Sequence, residues 1–345
     1  MRTVAKIALA LLLPGAFCAG PAQSPGANSD ASSASDAASV LSRAAALIAG
    51  GKNDQAVQLL KPMAGRKPEP PGVERALGKA YYQERKVDEA TTHLESALKQ
   101  DPGDLESTQL LGLAYSQLGR AAQAIPLLEK VQTVLPHPDP TSFYVLGVDD
   151  LSARRFGEAR TNFARMFSVA PDSAQAHLVL GQMMMHQNLE DEAEPELKRA
   201  LAADPRLPMA HFLLGEVDLY RGRTEEALGE FKAELALNPV SWVAYWRMGD
   251  AYSRLQRWDD AERALKQSLW LDQTFTGPYV LLGKVELKKG DAGLAAEYLE
   301  RALAMDPSNF SAHYLLGTAY QQTGRGADAE REFETSRKLH PGGAP

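Results

Sequence analysis

Apolar residues recur along this chain at helical spacing, and the pattern itself repeats. From Pro71 to Asp104, a first segment carries Leu77, Gly78 and Tyr81, and a second carries Ala90, Leu94, Ala97 and Leu98. Both have the three- and four-residue steps of a helix that buries one face. The pair then returns along the chain: alanine stands at 56, 90, 124, 159, 193, 227, 261, 295 and 329, and glycine at 78, 112, 147, 181, 215, 249, 283 and 317. Every step is 34 residues except one of 35. A fixed period of this size predicts a stacked array of two-helix units.

Glycine and alanine at two fixed places predict that the two helices cross there, where a minimal side chain lets backbones approach. Prolines 68, 102, 136, 171, 205, 239, 307 and 341 end each second helix by removing a backbone donor. Gln273 alone breaks that series.

These residues resemble the tetratricopeptide repeat family, whose 34-residue unit carries Leu-Gly-x-x-Tyr in its first helix and Ala-x-x-x-Phe-x-x-Ala, then Pro, in its second. Nine units follow, at 37–70, 71–104, 105–138, 140–173, 174–207, 208–241, 242–275, 276–309 and 310–343, with Asp139 as a single insertion. Arg43 and Ala44 replace Leu-Gly in the first unit, and Asp150, Asp218 and Glu286 stand in place of the tyrosine. The resemblance implies an all-α, right-handed superhelical solenoid with a concave groove that binds partners.

Ahead of the array, Arg2 and Lys6 flank the apolar run Ile7 to Leu13, which Pro14 ends. Residues 1–20 read as a secretory signal peptide, because the run is far short of the roughly 20 residues that span a bilayer. Cys18 raises lipidation as an alternative, although Phe17 stands where a bacterial lipobox has Gly or Ala. Residues 21–36 contain no large apolar side chain and predict a disordered linker. Export to the periplasm or medium is the expectation.

The formal charge is −7, or −9 once Arg2 and Lys6 are removed, which argues against a nucleic-acid partner. Cys18 is the only cysteine, so a processed chain has no disulfide or thiolate chemistry. Hydrolase, zincin, P-loop and dinucleotide motifs are missing from the sequence, which predicts a protein that is not an enzyme and needs no cofactor or metal. His177, His211 and His313 share one repeat position, four residues before the glycine. That face packs, and a zinc site needs three or four convergent ligands, so packed histidines are expected. Asp150, Asp218 and Glu286 are expected to pair locally with Arg154, Arg221 and Lys289, three or four residues on.

The surface of the first helices divides by angle. Counting each unit's first residue as position 1, positions 4, 7, 8 and 11 pack, while positions 2, 5, 9 and 12 lie about 130° further round. In the family this second stripe faces the groove. Units four to seven place Tyr144, Val148, Leu151, Leu178, Met185, Met209, Phe212, Leu219, Val243 and Trp246 on it, and the second unit places Arg75 and Lys79 there. An apolar stripe beyond packing needs marks an interaction surface. Phe212 and Trp246 are the expected anchors, while Leu151, Leu178 and Leu219 could equally be core between repeats.

Arg337 and Ser336 stand where earlier units carry leucine and its neighbour, which predicts a self-capping last helix and a mainly monomeric protein. The sequence thus reads as an exported, non-catalytic scaffold that binds an extended segment or helix of a partner protein. The alternative is an accessory subunit of an envelope enzyme, secretion or pilus assembly complex.

Overall fold

The computed structural model describes residues 30–134 and 140–341. Among the described residues are eighteen α-helices and no strand, in two compact units, Met1–Pro102 and Gly103–Pro345. The first unit holds α1 (Asp30–Ala49) paired with α2 (Asn53–Leu60), and α3 (Val73–Gln83) paired with α4 (Val87–Gln100). Helix α2 stops early because Pro62, the second residue after Leu60, has no backbone N–H to continue the ladder. Helix α1 starts at Asp30, whereas the linker was expected to run to 36. A helix needs no large apolar side chain, and Ala31, Ala34, Ala37 and Ala38 are the strongest helix formers. The signal segment 1–20 with Cys18, linker residues 21–29 and Asp139 lie outside the described residues.

The second unit holds seven pairs. They are α5 (Leu105–Gln117) with α6 (Ala121–Val134), α7 (Pro140–Ser152) with α8 (Phe156–Met166), and α9 (Ala174–His186) with α10 (Glu190–Ala203). Next come α11 (Ala210–Tyr220) with α12 (Thr224–Leu237), and α13 (Trp242–Arg254) with α14 (Trp258–Leu271). The last are α15 (Gly277–Lys289) with α16 (Ala292–Met305), and α17 (Phe310–Gln322) with α18 (Gly326–Leu339). Each second helix packs on its own first helix and on the next one. From α9 onward successive first helices also touch, so they form one continuous layer of the unit.

The recurring glycine marks the crossing, and the residue pressing on it lies sixteen further on. A Cβ at Gly78 would sit 2.6 Å from Leu94 Cγ, and one at Gly147 2.5 Å from Phe163 Cε1. Leu94, Phe163, Leu197, Phe231 and Leu265 are each fully buried there, worth roughly 2–3 kcal/mol apiece in transfer from water. The recurring alanine lies at the same crossing, its carbonyl oxygen 3.5 Å from a Cβ built at Gly249.

Two kinds of polar pair close several of the repeats on themselves. His177, His211 and His313 at position 4 bond through Nδ1 to Glu196, Glu230 and Glu332 at position 23, at 2.6, 2.7 and 2.5 Å. In the second repeat the roles are exchanged, with Glu74 and His93 2.7 Å apart. The histidines are therefore packed, as expected, and no cluster that could hold a metal ion occurs among the described residues. The second pair joins positions 11 and 16 across the turn. Where position 11 is tyrosine, a cation lies over the ring: Arg257 is 4.6 Å from the Tyr252 centroid and Arg325 3.8 Å from that of Tyr320.

The same geometry corrects the expected acid pairings. Asp150 faces Arg155 at 3.3 Å, and Asp218 faces Arg223 at 2.6 Å, both five residues on, because position 11 points across the turn to the start of the second helix. Arg154, Arg221 and Lys289 instead reach helices of neighbouring repeats, at Glu192, Asp191 and Asp259. Glu286 meets Asp291 at position 16, so it lacks a cationic partner there, and burial pushes its carboxyl above the usual range.

Asp149 and Asp150 are both buried in α7. Asp149 accepts the Ser116 hydroxyl of α5 at 3.0 Å, tying the third repeat to the fourth, while Asp150 accepts Asn162 Nδ2 at 2.8 Å. Burial raises both carboxyls to about 6. At the other end of the unit, Arg337 is exposed but Ser336 is not: it is buried, and its hydroxyl donates to Phe310 O at 2.8 Å, as Ser268 donates to Trp242 O at 2.9 Å. Ser336 therefore joins its own two helices and forms no part of an outer polar face.

Candidate functional site

The turn between the seventh and eighth repeats breaks two local rules at once. Four first helices start after a capping side chain, at Asp104, Ser173, Ser241 and Asn309, each accepting a backbone N–H of the first turn. In this register the equivalent residue before α15 is Phe275, and Thr276 caps with no side-chain bond. The proline two residues earlier is also gone, replaced by Gln273. What replaces a cap of about 1 kcal/mol is aromatic packing. Phe275 meets Trp246 edge-on at 4.8 Å and Trp242 at 5.3 Å between centroids.

Gly277 follows because its side-chain space is taken. A Cβ there would lie 2.6 Å from Phe275 Cε1 and 3.0 Å from Trp246 Cε2. Arg247 covers Trp246 at 4.3 Å and pairs with Glu216 of α11, whose carboxyl is raised by burial. The indole Nε1 is buried without a hydrogen-bond partner, a state costing roughly 1–3 kcal/mol. Beside the indole opens a cavity of about 510 Å³. Trp246 and Asp250 of α13, Gly277, Val280 and Leu281 of α15, and Phe310 and Ser311 of α17 line it, with Asp306, Ser308 and Asn309 of the preceding turn. Its volume lies within the roughly 300–1,000 Å³ of ligand sites.

The chain matches Tetratricopeptide repeat profiles over 144–208, 210–273 and 280–344, and over 81–140. It belongs to the tetratricopeptide repeat family. Members of this family bind protein or peptide partners. No curated protein matches it at a significant level. Among solved structures, PilF of Pseudomonas aeruginosa is similar at 18% identity and TM-score 0.50, covering 59% of this chain and 93% of its own. YrrB, described as a TPR protein with an unusual peptide-binding site, is 18% identical with TM-score 0.45, covering 54% and 94%. MamA from Desulfovibrio magneticus RS-1 is 20% identical with TM-score 0.46, covering 49% and 96%. At such identities the likeness establishes the fold alone.

In tetratricopeptide numbering, the cavity follows the stripe read from helical angles. Trp246, Asp250, Gly277, Val280 and Ser311 occupy positions 5, 9, 2, 5 and 2. Its location differs from the expectation, since it spans repeats seven to nine, whereas the apolar stripe was read in repeats four to seven. Of the expected partner-binding residues, Trp246 alone lines it. Phe212 is half-buried, wedged between the cores of the fifth to seventh repeats, with its ring 5.9 Å from Phe231. Leu219 and Leu151 are buried core between repeats, and Val148, Leu178 and Met185 pack against the core around Phe163 and Leu180. They pack because the following first helix covers them, which the angle within one helix does not encode.

Tyr144 and Met209 remain exposed. Met209 precedes α11 in left-handed backbone, its N–H donated to the buried Glu234 carboxylate at 3.1 Å, so it is not on the helical stripe. Arg75 is exposed and Lys79 half-buried on α3, in the other compact unit. Phe275 and Phe310 lie off the stripe, and Gly277, at position 2, belongs to a repeat beyond those counted. The joint loss of proline and cap at 273 and 275 was the readable signal.

Proposed function

We propose that the protein is an exported, non-catalytic scaffold that holds an extended segment or helix of a partner protein along the first-helix layer of its second unit, anchored in the cavity at Trp246. The observation that carries this reading is the cavity itself, on the stripe by which the family meets its ligands. An apolar and aromatic wall facing polar groups suits a side-chain anchor held beside a polar contact. The unpartnered indole N–H adds a donor that a shift of the ring would offer to a bound chain.

The test is selection of a phage-displayed random dodecapeptide library on the immobilised full chain. Peptides should be enriched, and Trp246→Ala should weaken them by more than about 2 kcal/mol, a hot-spot loss. Trp270→Ala, at a residue 75% exposed on α14, should leave them unchanged. Enriched peptides indifferent to Trp246 would overturn this placement. Export rests on the charged start and short apolar run, so the native protein should lack residues 1–20 by intact-mass measurement. A mature chain retaining Met1 to Leu13 would overturn it.

A further inference from the structure

Resting on that reading, we infer that the segment held in the cavity presents a lysine or arginine side by side with an apolar residue. The lining has two carboxylates, Asp250 and Asp306, and no lysine or arginine. Facing them are the apolar surfaces of Trp246, Val280, Leu281 and Phe310. A basic side chain suits both, because its alkyl stem lies along apolar surface while its head reaches an acid.

The state of each charged group around the cavity supports this sign. Asp250 uses only Oδ2 toward Arg254, at 2.9 and 3.2 Å, leaving Oδ1 open to a second donor. Asp306 accepts the N–H and hydroxyl of Ser308 at 3.0 and 2.7 Å, which hold its carboxyl below the usual range and keep it ionised at neutral pH. The neighbouring cations are committed or displaced. Arg247 is bound to Glu216, Arg254 to Asp250, and Lys284, one turn beyond Val280, is outside the lining.

An anionic segment would look to the start of α17, since helix N-termini favour negative charge. There the capping side chains have already taken part of the donor set. Asn309 Oδ1 accepts the N–H of Ala312 at 3.0 Å, and Asp306 takes that of Ser308. An incoming carboxylate would also face the ionised Asp306 in the same lining.

The same phage-displayed library distinguishes this inference from the reading beneath it, using wild type, Trp246→Ala and the double variant Asp250→Asn, Asp306→Asn. Asparagine retains the acceptor oxygens of both sites, and circular dichroism with thermal melting checks that each variant folds. Trp246-dependent peptides should carry an excess of Lys and Arg beside apolar residues. Their synthetic consensus should bind the double variant at least about tenfold more weakly. Raising salt from about 50 to 500 mM should weaken its binding to wild type more than its binding to the double variant. Trp246-dependent peptides with neutral or acidic bias would overturn the inference and leave the groove reading standing. Failure of any peptide to depend on Trp246 would remove both.

Discussion

Gly249→Leu is expected to lower the unfolding free energy by more than about 3 kcal/mol, whereas Gly229→Leu should leave it unchanged or raise it by up to about 1 kcal/mol. Both glycines are inside helices, so helix propensity favours leucine at each. They differ in what a side chain would meet. A Cβ at Gly249 would fall 2.5 and 2.6 Å from Leu265 Cγ and Cδ2, and Leu265 is fully buried with no space to retreat into. A Cβ at Gly229 meets nothing within 4 Å. Guanidinium unfolding followed by circular dichroism measures the pair. Adding Leu265→Ala to Gly249→Leu should recover part of the loss, since the two residues share one space. Equal effects at both glycines would mean that backbone conformation, not the crossing, sets the requirement.

Asp149→Asn is expected to stabilise the protein at pH 7.5, with a gain that fades as the pH falls. The folded carboxyl titrates at about 6 against 3.8 for the ordinary group, so between these values the native state binds more protons than the unfolded chain. Stability from this group is therefore greatest below pH 3.8, falls as pH rises through 6, and stays at its lowest above. Two pH units at 1.36 kcal/mol each set the ionisation cost at on the order of 3 kcal/mol. Asparagine removes that cost and still accepts the Ser116 hydroxyl. The expected gain is about 1–3 kcal/mol at pH 7.5 and close to none at pH 3.5. Asp150→Asn should gain less, because it also gives up Arg155. Unfolding curves at both pH values decide this, and a pH-independent gain would refute the burial argument.

The fold was legible because its determinants are periodic. Gly249 and Leu265 recur with their equivalents in repeat after repeat, so one unit explains the rest. The pairing of positions 11 and 16 was equally visible, with Lys86, Arg120, Arg155, Arg223, Arg257 and Arg325 all at position 16. The acids were nevertheless assigned partners on their own helix, because spacing rules for an isolated helix ignore the turn that brings the second helix back. The candidate site was less legible. Leu219 and Trp246 stand at comparable angles on their helices, yet the first is core and the second lines a cavity. What separates them is Phe275 and Gly277 in the next repeat, and a stripe counted within one helix cannot see them.

The bonds from His211 to Glu230 and from Asp218 to Arg223 begin and end inside the same 34 residues. Such a segment carries its own charge balance, so duplicating or deleting it strands neither member of these pairs. The Ser116 to Asp149 bond works the other way, since its donor and acceptor belong to different copies, and it fixes the order in which those two copies must stand.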